Sequence, residues 1–421
     1  MCAQEAPNTP SPRHGPQHCH LPDQPITSFA MNLPPVCATP FDVVVIGAGI
    51  SGLVAASALL PRVPRVLVLE VRNRVGGRLY STQDGMDLGA SWWWSHDTSA
   101  AKLAQKLGVA SVPQHVGGNA WLHRGQQAQR VGEVGDQIVP SGPGSKRFVG
   151  GYAELPRRLA DSLPDGTVQL GVRVVSLEQQ DGDGSTPQAI IRVGIEGREA
   201  IMARRVILAI PPRLASRISY SPALPAATQR RLESTAAWCG DWSKVVATFK
   251  TPFWRQLGDS GVASTPNGLV EVWWEASGGE ATSEATASLA GLAFGQAGAA
   301  RLGPFDSGPA ATADGAAALR SKVISALGAL YGEELVREQL LTVAVKVWMV
   351  DPDTYAPSPD GIEPPGDPRS SYGHPNLRTP TTWGVHFAGT ESEAHSGHVA
   401  GAILAGERAA REVVSALEAQ R

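Results

Sequence analysis

The sequence predicts an α/β protein of two domains, and three features carry that prediction. The chain has 421 residues, 42% of them hydrophobic, which exceeds one average domain and is enough to bury a sizeable core. A strand–turn–helix–strand pattern begins near residue 41, and strand-like apolar runs mix with Ala-rich segments after residue 150. Such a pattern is typical of a sheet with helices packed on its faces.

The first ordered unit is predicted to be a strand, a helix and a second strand. Phe41–Ile46 is a β-branched apolar run typical of a strand buried on both faces. A helix over roughly Ile50–Leu60 follows, and Pro61 and Pro64 end it. Val66–Glu70 is a second apolar run, so these residues predict a βαβ unit.

The later elements are predicted from the same kinds of pattern. Leucines at four-residue spacing indicate a one-faced helix of about three turns at Leu155–Leu163. Pro211 and Pro212 end an apolar strand at Arg205–Ile210. Further predictions are strands at about 171–178 and 189–195, an Ala-rich helix at 314–330, a Pro- and Gly-rich connection at 351–368 and a terminal helix at about 399–417.

Charge and cysteine content argue against several classes of protein. A net charge of -3 without a basic run disfavours nucleic acid and acidic membranes as partners, and no apolar run is long enough to span a bilayer. Three of the four cysteines lie in the first forty residues, which indicates a reducing compartment; we expect the cytoplasm, with organellar import left open. Residues 1–40 are predicted to be a disordered leader, and no metal site is predicted.

The turn after the first strand predicts a dinucleotide site. In Gly47–Gly52, the first glycine allows a tight turn, Gly49 lets the backbone approach a pyrophosphate, and the last lets the helix pack on the strand. Ile50 and Ser51 begin a helix whose amide groups face the phosphates. Glu70 ends the second strand, where a carboxylate accepts hydrogen bonds from ribose hydroxyls and repels a ribose phosphate.

Two further segments resemble a known family. Glu70–Arg78 followed by Asp87–Trp92 resembles the flavin-binding signature of monoamine oxidases, polyamine oxidases, desaturases and protoporphyrinogen oxidases. Val385–Glu391 followed by Ser396–Ala410 looks like the C-terminal flavin segment of the same family, and the similarity is closest to amine oxidases. The resemblance implies a Rossmann-type FAD domain, with Glu391 binding the ribityl chain and Arg78 neutralising the pyrophosphate.

The resemblance and the glycine pattern together define the expected FAD site. The strand containing Val174 resembles the one whose backbone meets adenine, and no cysteine lies near Tyr372, so FAD is expected to bind noncovalently. The expected FAD-binding residues are Gly47, Gly49, Ile50, Ser51, Gly52, Glu70, Arg72, Gly77, Arg78, Gly89, Ala90, Ser91, Trp92, Val174, Trp348, Gly389, Thr390, Glu391, His398 and Val399.

Three residues are expected to take part in catalysis. The segment around Lys244 resembles the one whose lysine reaches flavin N5 through a water, where a cation assists the reduction of oxygen. The alternative is a lysine that extends from a strand edge into solvent. His398 stands where monoamine oxidases have one of two substrate-facing aromatic rings, and the alternative is that it only caps a helix. Tyr372 approximates the position of the other ring, and the alternative is a tyrosine in a surface turn.

Tryptophans are expected around the substrate. Three consecutive indoles at Trp92–Trp94 cannot all face one core, so at least one is predicted to line the pocket. Trp273, Trp274 and Trp348 either add further walls or pack in the core.

The resemblance implies an FAD-dependent amine oxidase that acts on a small-molecule amine and O2. A hydride passes from the amine α-carbon to flavin N5, and O2 regenerates FAD, which gives hydrogen peroxide and an imine that hydrolyses to an aldehyde. Two alternatives stay open: a desaturase or protoporphyrinogen oxidase-like dehydrogenase with a nonamine substrate, and a noncatalytic FAD-containing interaction module. A homo-oligomer is also left open. We expect the FAD domain to comprise residues 41–92, 148–220 and 351–421, and an α+β substrate domain with a mixed sheet to comprise 93–147 and 221–350.

Overall fold

The structure, a computed structural model, describes residues 39–124, 127–180, 190–277, 286–303, 313–361, 363, 367–394 and 396–420. The predicted leader therefore lies outside the described residues except for its last two positions. Among the residues that are described, no helix combines the length and apolar character needed to cross a bilayer.

The described residues form eleven α-helices and seventeen strands. The helices are α1 (Ile50–Leu59), α2 (Thr98–Lys106), α3 (Gly135–Ile138), α4 (Glu154–Asp161), α5 (Pro212–Ala215), α6 (Ala226–Ser234), α7 (Phe253–Gln256), α8 (Gly295–Leu302), α9 (Ala313–Tyr331), α10 (Glu333–Gln339) and α11 (Val399–Glu418). The strands are β1 (Phe41–Ile46), β2 (Val66–Leu69), β3 (Ser111–Pro113), β4 (Asn119–Arg124), β5 (Gln127–Val131), β6 (Lys146–Phe148), β7 (Val168–Gln169), β8 (Val174–Gln180), β9 (Ile190–Ile195), β10 (Ile201–Leu208), β11 (Ser219–Ser221), β12 (Ser243–Phe249), β13 (Asp259–Ser264), β14 (Val272–Glu275), β15 (Ala287–Ala293), β16 (Leu340–Val347) and β17 (Val385–Phe387).

The first large sheet has a parallel centre. Its strand order is β11–β8–β9–β10–β1–β2–β7, and β17 pairs in parallel with the last residues of β10. Strands β10, β1 and β2 are parallel neighbours, and α1, α4 and α11 pack apolar side chains in the core beside them. Because these strands run in one direction, the segments that follow β1, β2, β10 and β17 leave the sheet at the same edge, where ligands of such sheets bind.

The second large sheet is mostly antiparallel. Its strand order is β16–β12–β15–β14–β13–β4–β5, and only the β13–β4 pair is parallel. Trp254, Trp273 and Leu327 are among the fully buried side chains between this sheet and α9. We propose that the boundaries expected for the two domains follow these two sheets.

Most predicted elements are confirmed, with small differences that have local causes. The βαβ unit, the helix at 313–331 and the terminal helix occur where the sequence predicts them. Helix α4 ends at Asp161, two turns rather than three, and Pro164 disfavours helical backbone at Leu163. The strand expected from residue 171 begins at Val174, because Gly171 has a φ of 67°, which a strand does not accommodate.

Candidate active site

The turn after β1 is shaped by its glycines. Gly47 has a φ of 103°, and a Cβ atom there would lie 2.7 Å from the carbonyl oxygen of Ala209. A Cβ on Gly52 would lie 2.0 Å from the carbonyl oxygen of Gly47, so this glycine lets α1 pack against the turn. A Cβ on Gly49 would meet no atom within 4 Å, and Gly49 borders an open cavity. This open space at the N-terminus of α1 fits a pyrophosphate.

Glu70 lies at the end of β2 with 4% of its surface exposed and lines the same cavity. One carboxylate oxygen accepts a hydrogen bond from the Ala48 amide at 2.8 Å, and the other accepts one from the Arg72 amide at 3.0 Å. Each oxygen retains a lone pair for a ligand, which fits a ribose diol. The Arg72 guanidinium donates to Asp351 at 2.7 Å and to Thr354 at 2.8 Å, so it fastens the end of β2 to a distant loop.

Arg78 and Glu391 form an ion pair across 313 residues of sequence. Their closest N–O distance is 2.7 Å, and Glu391 also accepts a hydrogen bond from the Trp238 amide at 3.2 Å. Burial by itself would lower the pKa of Arg78, but the charge and hydrogen bond of Glu391 outweigh it and raise that pKa. The guanidinium therefore binds Glu391 and the Trp238 carbonyl oxygen. The sequence had led us to expect only a contact with the pyrophosphate.

The C-terminal segment meets the glycine turn directly. The amide of Gly389 donates to the hydroxyl of Ser51 at 3.0 Å. The Thr390 hydroxyl donates to the carbonyl oxygen of His398 at 2.8 Å and accepts from the Gly397 amide at 2.9 Å. These bonds hold the first residues of α11 at the cavity wall, so the positive end of its dipole faces the cavity.

Lys244 lies on β12, the second strand of its sheet, with 3% of its surface exposed, and it lines the cavity. Its ammonium donates to the carbonyl oxygen of Gly89 and, at 2.6 Å, to the hydroxyl of Ser91. Burial lowers the pKa of Lys244 to about 8. An ammonium has three donors, so one remains for a group in the cavity. The alternative of a lysine that extends into solvent is therefore wrong.

His398 is the N-cap residue of α11, but its side chain caps no backbone amide. The imidazole lines the cavity and stacks on the Trp94 indole with ring centroids 5.5 Å apart. The Trp238 indole lies 6.1 Å away and is tilted. Burial lowers the pKa of His398 below its ordinary 6.5, so the ring is neutral at pH 7.

Tyr372 does not reach the cavity. Its side chain is buried, and its hydroxyl donates to the carbonyl oxygen of Ala236 at 2.8 Å. The residue is absent from the cavity wall among the described residues, and the ring beside His398 is that of Trp238. We therefore withdraw Tyr372 from the catalytic residues, because its polar atom is already used in a structural hydrogen bond.

The three consecutive tryptophans face in different directions. Trp92 and Trp94 line the cavity, whereas Trp93 stacks on Phe148 at 5.4 Å in the core. Trp348 also lines the cavity and donates from its indole nitrogen to the Leu88 carbonyl oxygen. Of the other two expected walls, Trp273 packs in the core and Trp274 packs behind Trp92 at 4.8 Å.

The cavity that most of the expected site residues line has a volume of about 500 Å³. Of the expected site residues, Gly52 and Tyr372 do not line the cavity: Gly52 lets α1 pack against the turn, and the Tyr372 hydroxyl is bonded to Ala236. The expected residues that line it are Gly47, Gly49, Ile50, Ser51, Glu70, Arg72, Gly77, Arg78, Gly89, Ala90, Ser91, Trp92, Val174, Lys244, Trp348, Gly389, Thr390, Glu391, His398 and Val399.

Several wall residues were missed from the sequence. Trp238, Cys239 and Trp242 line the cavity just before β12, and Pro352–Thr354 lines it from the loop after β16. The two indoles lie four residues apart and close to the expected lysine in the sequence, and this spacing could have been used to predict them as wall residues. The loop residues carry no comparable signal, because their place depends on contacts such as the 2.8 Å ion pair between Arg173 and Asp353.

Comparisons with known proteins agree with this geometry. A family model described as flavin containing amine oxidoreductase matches residues 126–414, and one described as an NAD(P)-binding Rossmann-like domain matches residues 45–107. Human amine oxidase [flavin-containing] B is 25% identical over 480 residues, which cover 89% of this chain and 86% of that protein.

Solved structures share the two-domain fold. A putrescine oxidase bound to putrescine has a TM-score of 0.70 and 22% identity, over 90% of this chain and 99% of that chain. Cyclohexylamine oxidase from Brevibacterium oxydans IH-35A has a TM-score of 0.70 and 21% identity, over 90% and 100%. Because the sequence identities are 21–22%, these structures show a shared fold and not a shared substrate.

Proposed function

This chain belongs to the family of flavin-containing amine oxidoreductases, and from that premise we propose that it oxidises an amine at the carbon next to nitrogen, with O2 as the electron acceptor. FAD is its cofactor, and when bound it carries two electrons from the amine to oxygen. The proposed reaction converts a primary amine and O2 into an imine and hydrogen peroxide. Water then hydrolyses the imine to an aldehyde and ammonia.

The buried ammonium of Lys244 is the observation that carries this proposal. Gly89 and Ser91 hold it at the cavity wall, and its remaining donor is available to a molecule in the cavity. With a pKa of about 8, Lys244 is mostly charged at pH 7. A fixed cation in a water-poor site stabilises the negative charge that develops as oxygen is reduced.

The remaining proposed roles concern binding and orientation. Glu70 binds the ribose of FAD, the turn at Gly49 accepts the pyrophosphate, and the N-terminus of α11 at Val399 faces the flavin ring. Neutral His398 orients the substrate through its ring face and edge. The family match favours this function over a nonamine dehydrogenase or a noncatalytic module.

We also propose that FAD is bound noncovalently. Cys239 is the single cysteine among the residues the structure describes, and it lines the cavity. Burial raises the pKa of its thiol, with a smaller opposing effect of Arg78. A covalent thioether needs a reactive thiolate, and this environment disfavours one.

The experiment separates amine oxidation from oxygen reduction. The holoenzyme is reduced anaerobically with an amine and then mixed with O2, while the flavin absorbance is followed. Lys244→Met should slow reoxidation about 100-fold and leave the reductive rate within a few-fold of wild type, since removing one such donor typically costs that much. Lys102→Met, an exposed lysine on α2, is the matched control. Wild-type reoxidation in Lys244→Met, or a flavin that no amine bleaches, would contradict the proposal.

A further inference from the structure

One wall of the cavity carries a row of four aromatic rings. Trp94 stacks on His398 at 5.5 Å, His398 lies 6.1 Å from Trp238, and Trp238 lies 6.0 Å from Trp242. All four residues line the cavity. This ring row, Trp94–His398–Trp238–Trp242, offers a continuous aromatic surface to a molecule in the cavity that Lys244 also lines.

The ring row is fixed in place by its surroundings. The indole nitrogen of Trp94 donates to the Ser141 carbonyl oxygen at 2.8 Å, so its polar atom is already satisfied. The Arg369 guanidinium lies 4.6 Å from the Trp238 ring. Gly397 has a φ of 110°, and a Cβ there would lie 2.9 Å from the Trp238 indole, so only glycine admits this close packing.

Each carboxylate of the described cavity wall already has hydrogen-bond or ion-pair partners. The three belong to Glu70, Asp353 and Glu391. Glu70 accepts two backbone amides, and its remaining lone pairs are assigned to the ribose in the proposed function. Asp353 pairs with Arg173 at 2.8 Å, and Glu391 pairs with Arg78 and accepts the amide of Trp238.

Other acids near the ring row are not among the wall residues. Asp97 acts on His398 electrostatically and accepts the Trp94 amide at 3.1 Å. Asp241 precedes Trp242, and Asp367 pairs with Arg369 beside Trp238. A second ammonium beside the ring row would therefore lose hydration without gaining an unpaired carboxylate of the described cavity wall, and the Lys244 ammonium in the same cavity would add repulsion. Indole faces attract cations, but this attraction only partly offsets the loss of hydration.

We propose that the substrate is a monoamine with an apolar chain or ring that packs on the ring row, and that diamines and polyamines are poor substrates. This inference rests on the proposed amine oxidase function. It assigns the choice between one and two amino groups to the Trp94–His398–Trp238–Trp242 wall and to the absence of an unpaired carboxylate from the described part of the cavity wall.

The test uses pentylamine and 1,5-diaminopentane, which have equal chain length and differ by one terminal amino group. Anaerobic stopped-flow mixing with the holoenzyme gives the limiting rate of flavin bleaching and the apparent Kd for each amine. The expected apparent Kd is at least ten-fold higher for the diamine. An equal or lower value for the diamine overturns the inference while leaving amine oxidation intact, whereas a flavin that neither these nor any other amines bleach defeats the proposed function itself.

A gain-of-function variant makes the test independent of folding defects. Pro140 is exposed and lines the cavity next to Ser141, the acceptor of the Trp94 indole. Pro140→Gln is the matched reference, of similar size without charge. Relative to it, Pro140→Glu should lower the ratio of the apparent Kd of 1,5-diaminopentane to that of pentylamine at least five-fold. Equal effects of the two variants on the diamine would show that the absent carboxylate does not govern selection.

Discussion

Replacing Lys244 by methionine tests the charge of the buried ammonium through the pH dependence of folding stability. Burial lowers the pKa of Lys244 from its ordinary 10.5 to about 8. Between these two values the folded protein binds fewer protons at this site than the unfolded chain does. The lowered pKa therefore destabilises the folded state below pH 8, and this penalty disappears as the pH rises towards 10.5.

The size of the effect follows from the two pKa values. Linkage gives a gain in the free energy of unfolding of about 2.5 kcal/mol between pH 7 and pH 10 for wild type. The methionine variant lacks this titration. Groups that the Lys244 charge does not influence titrate alike in both proteins and cancel in the difference, whereas the pKa values of Asp87 and Cys239 respond to that charge. The variant also loses the donor to Gly89 and Ser91, which lowers its free energy of unfolding by about 1–3 kcal/mol. This loss is the same at each pH, so it does not alter how the difference between the two proteins changes with pH.

The assay is urea unfolding of wild type and Lys244→Met at pH 7, 8, 9 and 10, with linear extrapolation to water. The concentration of FAD is held constant, since bound cofactor adds to stability by mass action. The difference between the two proteins should grow with pH in favour of wild type. Lys102→Met should show no such trend. A difference that stays constant within about 0.5 kcal/mol would refute a lowered pKa at Lys244, because the effect in question is about five times larger.

Three further changes test the cofactor site. Gly52→Ala should sharply reduce the flavin content of purified protein, because a Cβ there would lie 2.0 Å from a carbonyl oxygen of the turn; normal flavin content would contradict this. Arg173→Gln should speed FAD release about two- to five-fold by breaking the pair with Asp353, as measured by flavin fluorescence after dilution; an unchanged rate argues against a retaining role. Glu391→Gln should lower the free energy of unfolding by about 2 kcal/mol, because it weakens the pair with Arg78. Urea unfolding measures this change, and a loss of less than about 0.5 kcal/mol would show that the pair does not stabilise the fold.

Local pattern was enough to predict the cofactor turn and its strands. The β-branched run at Phe41–Ile46 and the glycines at 47, 49 and 52 determine the backbone conformation within a few residues. The strand and the turn can therefore be predicted from local sequence alone. Glu70 follows from the same unit because β2 must end beside the turn. Lys244 was found through resemblance, and its burial on a strand that is paired on both sides gives a physical reason for its lowered pKa.

The ring beside His398 was not predictable in the same way. Tyr372 was chosen because its position in the sequence approximates a family pattern, yet its hydroxyl is bonded to Ala236. Trp238 takes the place beside His398 through packing against Gly397, which lies 159 residues further along the chain. Such a contact depends on how two loops meet in space, and neither loop has a pattern that specifies its partner.

The two ends of the cofactor site are coupled by direct backbone packing. A Cβ on Gly406 would lie 2.3 Å from the carbonyl oxygen of Ser51, so α11 touches α1 without intervening side chains. The Ser51 hydroxyl also accepts the amide of Gly389, 338 residues away. Any side chain at 406 would push α11 away, and with it the residues at 398 and 399 on the cavity wall. In the proposed arrangement of FAD, contacts at the pyrophosphate end of the site therefore help to fix the residues at its flavin end.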